Sequence, residues 1–205
     1  MNNNDQQDPE CCLRLARAGA GPALGQLLEL YRNYLSLLAR LQIGRRLQGK
    51  VDASDLVQET FLRALRDFAQ FRGNTEEEFL SWLRQILSAR MSDLIRHYLG
   101  AKRRDVRLER ELGVELDESS RVLDQGLVAP HSSPSQQAAR REQAVLLADA
   151  LGRLPEDYRE VIILRQMEGL SFPDVASRMG KTVKSVEKLW MRALARLRRV
   201  LGGGS

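Results

Sequence analysis

The chain carries, in order, Leu154-Pro-Glu-Asp-Tyr-Arg-Glu-Val-Ile-Ile-Leu-Arg165, then Ser171-Phe-Pro-Asp-Val-Ala-Ser-Arg-Met-Gly180, then a basic run from Lys181 to Arg199. The apolar spacing predicts a helix, a short second helix, a tight turn and a long third helix. Ser171 and Asp174 read as a capping box. Pro173 falls in the first turn, where its missing N–H costs little. Val175, Ala176 and Met179 are expected inside. Gly180 takes the turn, because a positive φ is cheapest for glycine. Thr182 caps the third helix, and Val186, Trp190, Ala193 and Leu197 recur at the spacing of one buried face. Trp190 therefore reads as core rather than as a base stacker. This order is a helix-turn-helix, which sets its last helix in the DNA major groove. Lys184, Ser185, Glu187, Lys188, Met191 and Arg192 are left facing solvent near that helix's start. Lys188 or Arg192 can reach a guanine edge, and Glu187 can accept from cytosine N4. The plainer alternative is a solvated basic face on a structural helix. The helix and glycine turn ahead of it argue against that.

Upstream, Ser54 reads as the N-cap of a helix from Asp55 to about Phe68, with Leu56, Val57, Phe61 and Leu65 inward. Asp55, Gln58, Glu59 and Leu62 form a stripe on its other face. Phe71-Arg-Gly-Asn74 is a turn. Thr75 then caps a helix that starts with Glu76, Glu77 and Glu78, acids at the positive end of the dipole. Phe79, Trp82, Leu83, Ile86, Leu87, Met91 and Ile95 point inward from it, and it ends near Tyr98 to Arg104. Phe79 and Trp82 read mainly as core. An earlier helix is expected from about Pro22 to Leu41, broken by Gly44 to Lys50. Residues 1–21 read as an N-terminal extension, 22–104 as one helical domain, 105–135 as a linker, 136–201 as a second domain and 202–205 as a tail. The linker mixes charges with weak periodicity and runs into a Pro/Ser stretch at Val128 to Gln137. Helical pattern resumes near Ser135 and runs through Ala144, Leu147 and Leu151, and Pro155 falls near the first turn of the next helix. No alternating strand is evident. The fold class is all-α: two helical domains on a flexible linker.

The composition narrows the partner. Net charge is +5 over 205 residues, with 43% hydrophobic and 29% charged. The basic residues concentrate in two places. Lys181 to Leu201 holds seven lysines and arginines against Glu187 alone. Arg84 to Arg104 holds Arg84, Arg90, Arg96, Lys102, Arg103 and Arg104 against Asp93. Two basic helices in separate halves suit one extended polyanion. Cys11 and Cys12 are the only cysteines and are adjacent, with no other cysteine to bridge to, so they read as ordinary thiols rather than a disulfide framework. His97 and His131 are far apart in the sequence and from the cysteines, so no zinc spacing exists, and no metal or cofactor is expected. No apolar run is long enough to span a membrane, and Met1-Asn-Asn-Asn-Asp is no signal peptide, so a cytoplasmic location is expected. An enzyme acting on DNA is disfavoured. Glu76, Glu77 and Glu78 are consecutive and splay around a helix, and no nucleophile has an evident base.

Asp55-Leu-Val-Gln-Glu-Thr-Phe61, Phe71-Arg-Gly-Asn74 and Phe79-Leu-Ser-Trp-Leu-Arg-Gln-Ile86 resemble, in that order, region 2 of bacterial RNA polymerase sigma factors. Leu154 to Leu201 resembles their region 4. With these two regions on a linker, the chain is similar to the extracytoplasmic-function group of the sigma-70 family. The resemblance covers about Leu24 to Arg104 and Gln136 to Leu201. It implies an initiation subunit, not an enzyme, that joins core RNA polymerase at the β′ clamp and β flap and reads promoter DNA. On that footing Asp55, Gln58, Glu59 and Leu62 match the clamp-docking surface. Phe71, Arg72, Gly73 and Asn74 match the loop that captures an unstacked base of the minus-ten element. Trp82, Arg84, Gln85 and Arg90 match the face along the melted strand. Lys184, Ser185, Glu187, Lys188, Met191 and Arg192 match the region that reads the minus-thirty-five element. The resemblance also allows an anti-sigma factor as a partner and a monomer when free. A helix-turn-helix regulator that binds duplex DNA without polymerase is the alternative. It leaves Asp55 to Phe61 and the second basic helix unexplained.

Overall fold

The structure, a computed structural model, describes residues 8–46, 52–99, 106–125 and 134–202. Regular structure in these residues is helical throughout. The chain divides into two compact units, Met1–Val128 and Ala129–Ser205.

The first unit opens with α1, Pro9–Arg17, and α2, Gly21–Leu30. Asp8 caps α1 by accepting the N–H groups of Glu10 and Cys11, and Pro9 pre-sets its first turn. Cys12 and Leu13 are buried, and α1 packs on α2. Residues 1–21 had read as a plain extension. Nine helical residues carry too few turns for a periodic signal. The helix expected from Pro22 to Leu41 is really two, α2 and α3, Arg32–Arg46. Tyr31 ends α2 at φ −103°, ψ 3°. Leucines are buried on both sides of the break (Leu27 and Leu28, then Leu35 and Leu38), so the hydrophobic pattern runs straight through it. The buried Tyr31 donates its hydroxyl to Glu76 Oε1 at 2.7 Å. The expected break at 44–50 begins inside α3, and 47–50 lie outside the described residues.

Helix α4, Ala53–Asp67, is capped by Asp52, which accepts the Ser54 N–H at 2.8 Å. Ser54 was the expected cap. An aspartate two residues earlier does the same work and adds a charge at the positive helix end. Leu56, Val57 and Phe61 are buried as expected, but Leu65 is 48% exposed because Ala64 takes the inward position. A 3-10 turn at Phe68–Gln70 leads to the loop before α5, Glu76–Leu99. Thr75 and Glu78 close a capping box. The Glu78 N–H donates to Thr75 Oγ1 at 3.2 Å, and the Glu78 carboxylate accepts the Thr75 N–H at 3.1 Å. Phe79, Leu83, Leu87, Met91 and Ile95 are buried, whereas Trp82 and Ile86 are only partly so. The basic stretch at 100–105 lies outside the described residues.

Residues 106–125, expected to be linker, form helix α6, Val106–Gln125, packed against α5 and α3. Its inward stripe is Leu112, Leu116 and Ser119, and Val114 is 55% exposed. Charged residues interrupt this stripe along the chain, which is why it read as linker. Polar contacts complete the docking. Buried Gln42 donates its amide to Ser119 Oγ at 3.1 Å, and Arg84 Nε donates to Asp117 Oδ1 at 2.9 Å.

The second unit comprises α7, Pro134–Gly152, α8, Glu156–Ile162, a π-helical turn at Ile163–Met167, α9, Phe172–Met179, and α10, Val183–Gly202. Pro155 is the N-cap of α8 rather than a first-turn residue. Arg159 reaches back from α8 and donates to the carbonyls of Leu151, Gly152 and Leu154 at 3.1, 3.3 and 3.1 Å. The bonds tie α8 to the end of α7 and to the turn that follows it, where carbonyls lack a full set of helical partners. Helix α10 lies on α7, α8 and α9, with Val186 and Ala193 buried at the contact. The Pro/Ser stretch at 128–133 and the tail at 203–205 lie outside the described residues.

Candidate nucleic-acid interface

In the second unit, the local chemistry of α9 and α10 aims a basic face outward. Ser171 accepts the Asp174 N–H at 3.3 Å and donates its hydroxyl to Asp174 Oδ2 at 2.5 Å. Gly180 ends α9 at φ 61°, ψ 32°, a left-handed conformation. Thr182 Oγ1 accepts the Ser185 N–H at 3.3 Å and opens α10. Val175, Ala176, Val186 and Ala193 are buried between the two helices, and Trp190 meets Phe172 edge to face at 6.5 Å. Met179, Trp190 and Leu197, expected inside, are only partly covered. Lys184, Ser185, Glu187, Lys188, Met191 and Arg192 are all exposed, with Met191 at 67%. Lys181 pairs with Asp157 of α8 at 3.2 Å, which ties the turn to the scaffold.

In the first unit, Asp55, Gln58, Glu59 and Leu62 are exposed along one face of α4. Leu62 is 59% exposed, an apolar patch among polar neighbours. Thr60 stays buried by donating its hydroxyl to the Leu56 carbonyl at 2.8 Å, and the Arg32 guanidinium covers the Phe61 ring at 5.0 Å. The stripe therefore stands on a closed core.

The loop 71–74 divides into an anchor and a rim. Phe71 was expected among the residues that meet DNA. It is buried at 8% and packs against Phe68, Phe79 and Trp82 at ring distances of 6.0, 5.7 and 5.0 Å. A Cβ on Gly73 would lie 2.3 Å from the Phe71 ring and 2.8 Å from Glu78 Cβ, so the aromatic anchor dictates glycine here. Arg72 and Asn74 are exposed and Gly73 partly so. The Glu78 carboxylate accepts the Asn74 N–H at 2.7 Å and both the N–H and hydroxyl of Thr75 at 3.1 Å. These bonds, that of Asn74 foremost, pull the Glu78 carboxyl below its ordinary value, with a smaller push from Arg17. From the other side Arg17 donates to the Gly73 carbonyl at 2.6 Å and to Asn74 Oδ1. Arg17 was not among the sequence candidates, because nothing near it in the chain points to residue 74.

The expected strand-binding face of α5 is largely self-paired. Arg84 is committed to Asp117 of α6 and only 16% exposed. The residue expected along the melted strand is thus engaged within the unit. Trp82, Gln85 and Arg90 do share a cavity of about 560 Å³ between α4 and α5, together with Arg63, Asp67 and Arg96. Arg63 pairs with Asp67, while Arg90 and Arg96 both pair with Asp93. Three arginines thus share two carboxylates. Among the described residues no His, Cys, Asp or Glu group is placed to hold a metal ion, and no helix is long and apolar enough to cross a membrane. Cys12 is buried; burial first, then Cys11 and Asp8, push its thiol up, away from the reactive thiolate.

The family model described as Sigma-70 region 2 matches residues 30–98, and that described as Sigma-70, region 4 matches 144–197. The RNA polymerase sigma factor CnrH of Cupriavidus metallidurans is 32% identical over 195 residues, covering 93% of this chain and 92% of that protein. The RNA polymerase sigma factor NccH of Alcaligenes xylosoxydans xylosoxydans is 30% identical over 203 residues, covering 96% of each. The ECF RNA polymerase sigma factor BldN of Streptomyces coelicolor is 31% identical over 186 residues, which is 91% of this chain and 63% of that relative. A solved structure of CnrH in complex with the cytosolic domain of CnrY is similar at 29% identity and a TM-score of 0.34, over 97% of this chain and 100% of that one. With both regions matched in order and CnrH and NccH covered nearly end to end, the chain belongs to the extracytoplasmic-function group of the sigma-70 family and is a promoter-recognising sigma factor of RNA polymerase.

Proposed function

We propose that each exposed face has one partner. Asp55, Gln58, Glu59 and Leu62 dock on the β′ clamp of core polymerase, with the second unit meeting the β flap. Lys184, Ser185, Glu187, Lys188, Met191 and Arg192 enter the major groove of the minus-thirty-five element, where Lys188 and Arg192 reach guanine edges or phosphates. Arg72, Gly73 and Asn74 receive an unstacked base of the minus-ten element, and Phe71 supports them from within the core. Trp82 and Gln85 line the path of the melted strand. Exposed carboxylate pairs such as those of Arg63 and Arg90 are worth about 0–1 kcal/mol, so strand phosphates can replace the carboxylates. The protein works without catalytic groups of its own, in the cytoplasm, as a monomer before it meets polymerase, and an anti-sigma factor is a further partner the family allows. Two weak contacts in one chain reinforce each other through effective concentration.

The observation that carries this reading is the stripe on α4, four exposed residues including a 59% exposed leucine over a closed core, in a chain that also holds a helix-turn-helix. A regulator acting without polymerase has no use for it. Run-off transcription with bacterial core polymerase from DNA upstream of the chain's own gene tests the proposal. A discrete transcript should need the protein, and Asp55→Arg with Glu59→Arg should abolish both transcript and co-purification with core. Retained co-purification by that folded variant would remove the stripe's role.

A further inference from the structure

The N-terminal helix α1 reaches the base-receiving loop through one side chain. Arg17, its last residue, donates from Nη1 to the Gly73 carbonyl at 2.6 Å and to Asn74 Oδ1. It lies outside both matched spans, 30–98 and 144–197. Guanidinium nitrogens donate and never accept. The Asn74 amide must therefore turn its oxygen toward Arg17 and its Nδ2 the other way. The backbone leaves Asn74 little freedom to undo this. Its own N–H is held by Glu78 at 2.7 Å, and the next N–H, that of Thr75, is held by the same carboxylate. Phe71 pins the loop's start in the aromatic cluster. Asn74 itself is exposed. The loop thus shows an incoming base an amide donor in place of the ambiguous donor-or-acceptor face of a freely rotating asparagine.

The geometry points to Arg17 as a positioning residue that sets the hydrogen-bond polarity of Asn74 and thereby the base preference at the minus-ten position captured by the loop. The inference rests on the proposed role of residues 71–74. Its chemical content is definite. A donor at Asn74 favours a base edge that presents a carbonyl oxygen, as in thymine O4 or guanine O6. It disfavours one that presents an exocyclic amine, as in adenine N6 or cytosine N4. Without Arg17 the amide can flip and serve either class.

The test uses the full chain with core polymerase on a pool of promoters randomised across the minus-ten element, with transcripts sequenced after a single round. The wild type should prefer thymine or guanine over adenine or cytosine at one position. Arg17→Ala should lower that preference by roughly tenfold, at the low end for a base-edge contact. Asn74→Ala should relax the same position. Arg17→Lys, which keeps a donor, should restore most of the preference, and other positions should not change. If Asn74→Ala relaxes a position and Arg17→Ala does not, the inference about Arg17 is wrong and the loop assignment stands. If neither variant changes preference anywhere in the element, the loop assignment fails and takes the inference with it. A uniform loss from every promoter with Arg17→Ala would make Arg17 a structural brace only and would also overturn the inference.

Discussion

The two units handle their candidate residues in opposite ways. In the second, Lys184, Lys188, Met191 and Arg192 stand exposed on α10, and the scaffold beneath closes without them, through Val175, Ala176, Val186 and Ala193. In the first, the α4 stripe stands exposed in the same way, but the DNA candidates of the loop and α5 are woven into the scaffold. Phe71 is core, Arg84 clamps α6, Arg90 shares Asp93 with Arg96, and Asn74 is gripped by Arg17. The difference follows the task proposed for each. Reading intact duplex asks only that a helix fit a groove. Holding an unstacked base asks for a pocket whose donors and acceptors are oriented beforehand, since unstacking must be offset at once. The cost is coupling: a substitution at Phe71 or Arg84 disturbs fold and function together.

That contrast can be attacked at four points. The largest effect should come from Phe71→Ala. Loss of a buried aromatic from the cluster with Phe68, Phe79 and Trp82 should destabilise the first unit by about 3–5 kcal/mol. Urea unfolding followed by Trp82 fluorescence in a Trp190→Phe background would read it. Unchanged stability with lost promoter opening would make Phe71 a base contact and erase the contrast. Next, Lys188→Ala and Arg192→Ala should each weaken promoter-specific binding by about 1–3 kcal/mol with no change in Tm. A fall in Tm would show that α10 depends on the side chains it presents.

Gly180→Ala should cost about 1–2 kcal/mol, because nothing lies within 4 Å of the added Cβ and only the left-handed backbone is penalised. Thermal unfolding monitored at Trp190 is the measurement. A larger loss would mean that the turn is strained beyond its φ. The smallest effect belongs to Asp117→Asn. Asp117 is 50% exposed, so its pair with Arg84 should contribute less than about 1 kcal/mol to holding α6, seen as a slight shift of the urea midpoint. A substantial loss would show that this pair, rather than buried Leu112 and Leu116, fastens α6.

How legible each region was follows from how local its physics is. The capping box at Ser171, the turn at Gly180 and the side of α10 that buries Val186 and Ala193 are set within a turn or two of chain and were readable in order, although Trp190 and Leu197 on that side are only partly covered. The stripe Asp55, Gln58, Glu59 and Leu62 was readable for the same reason, since helical spacing alone puts those residues on one face. Short or charge-rich elements escaped: α1 has nine residues, and α6 mixes its apolar positions with many charges. The break at Tyr31 escaped because leucines continue on both sides of it.

Contiguous residues thus sufficed for two all-helical units, a helix-turn-helix, and the two regions that mark a sigma factor, because periodicity, caps and glycine turns act over short stretches of chain. Which polar groups are already engaged was decided by residues far apart: Arg84 with Asp117 across 33 positions, Arg17 with Asn74 across 57, Gln42 with Ser119 across 77. A hydrogen bond between such residues leaves no spacing to read. It exists only once packing of the buried faces has brought their helices together.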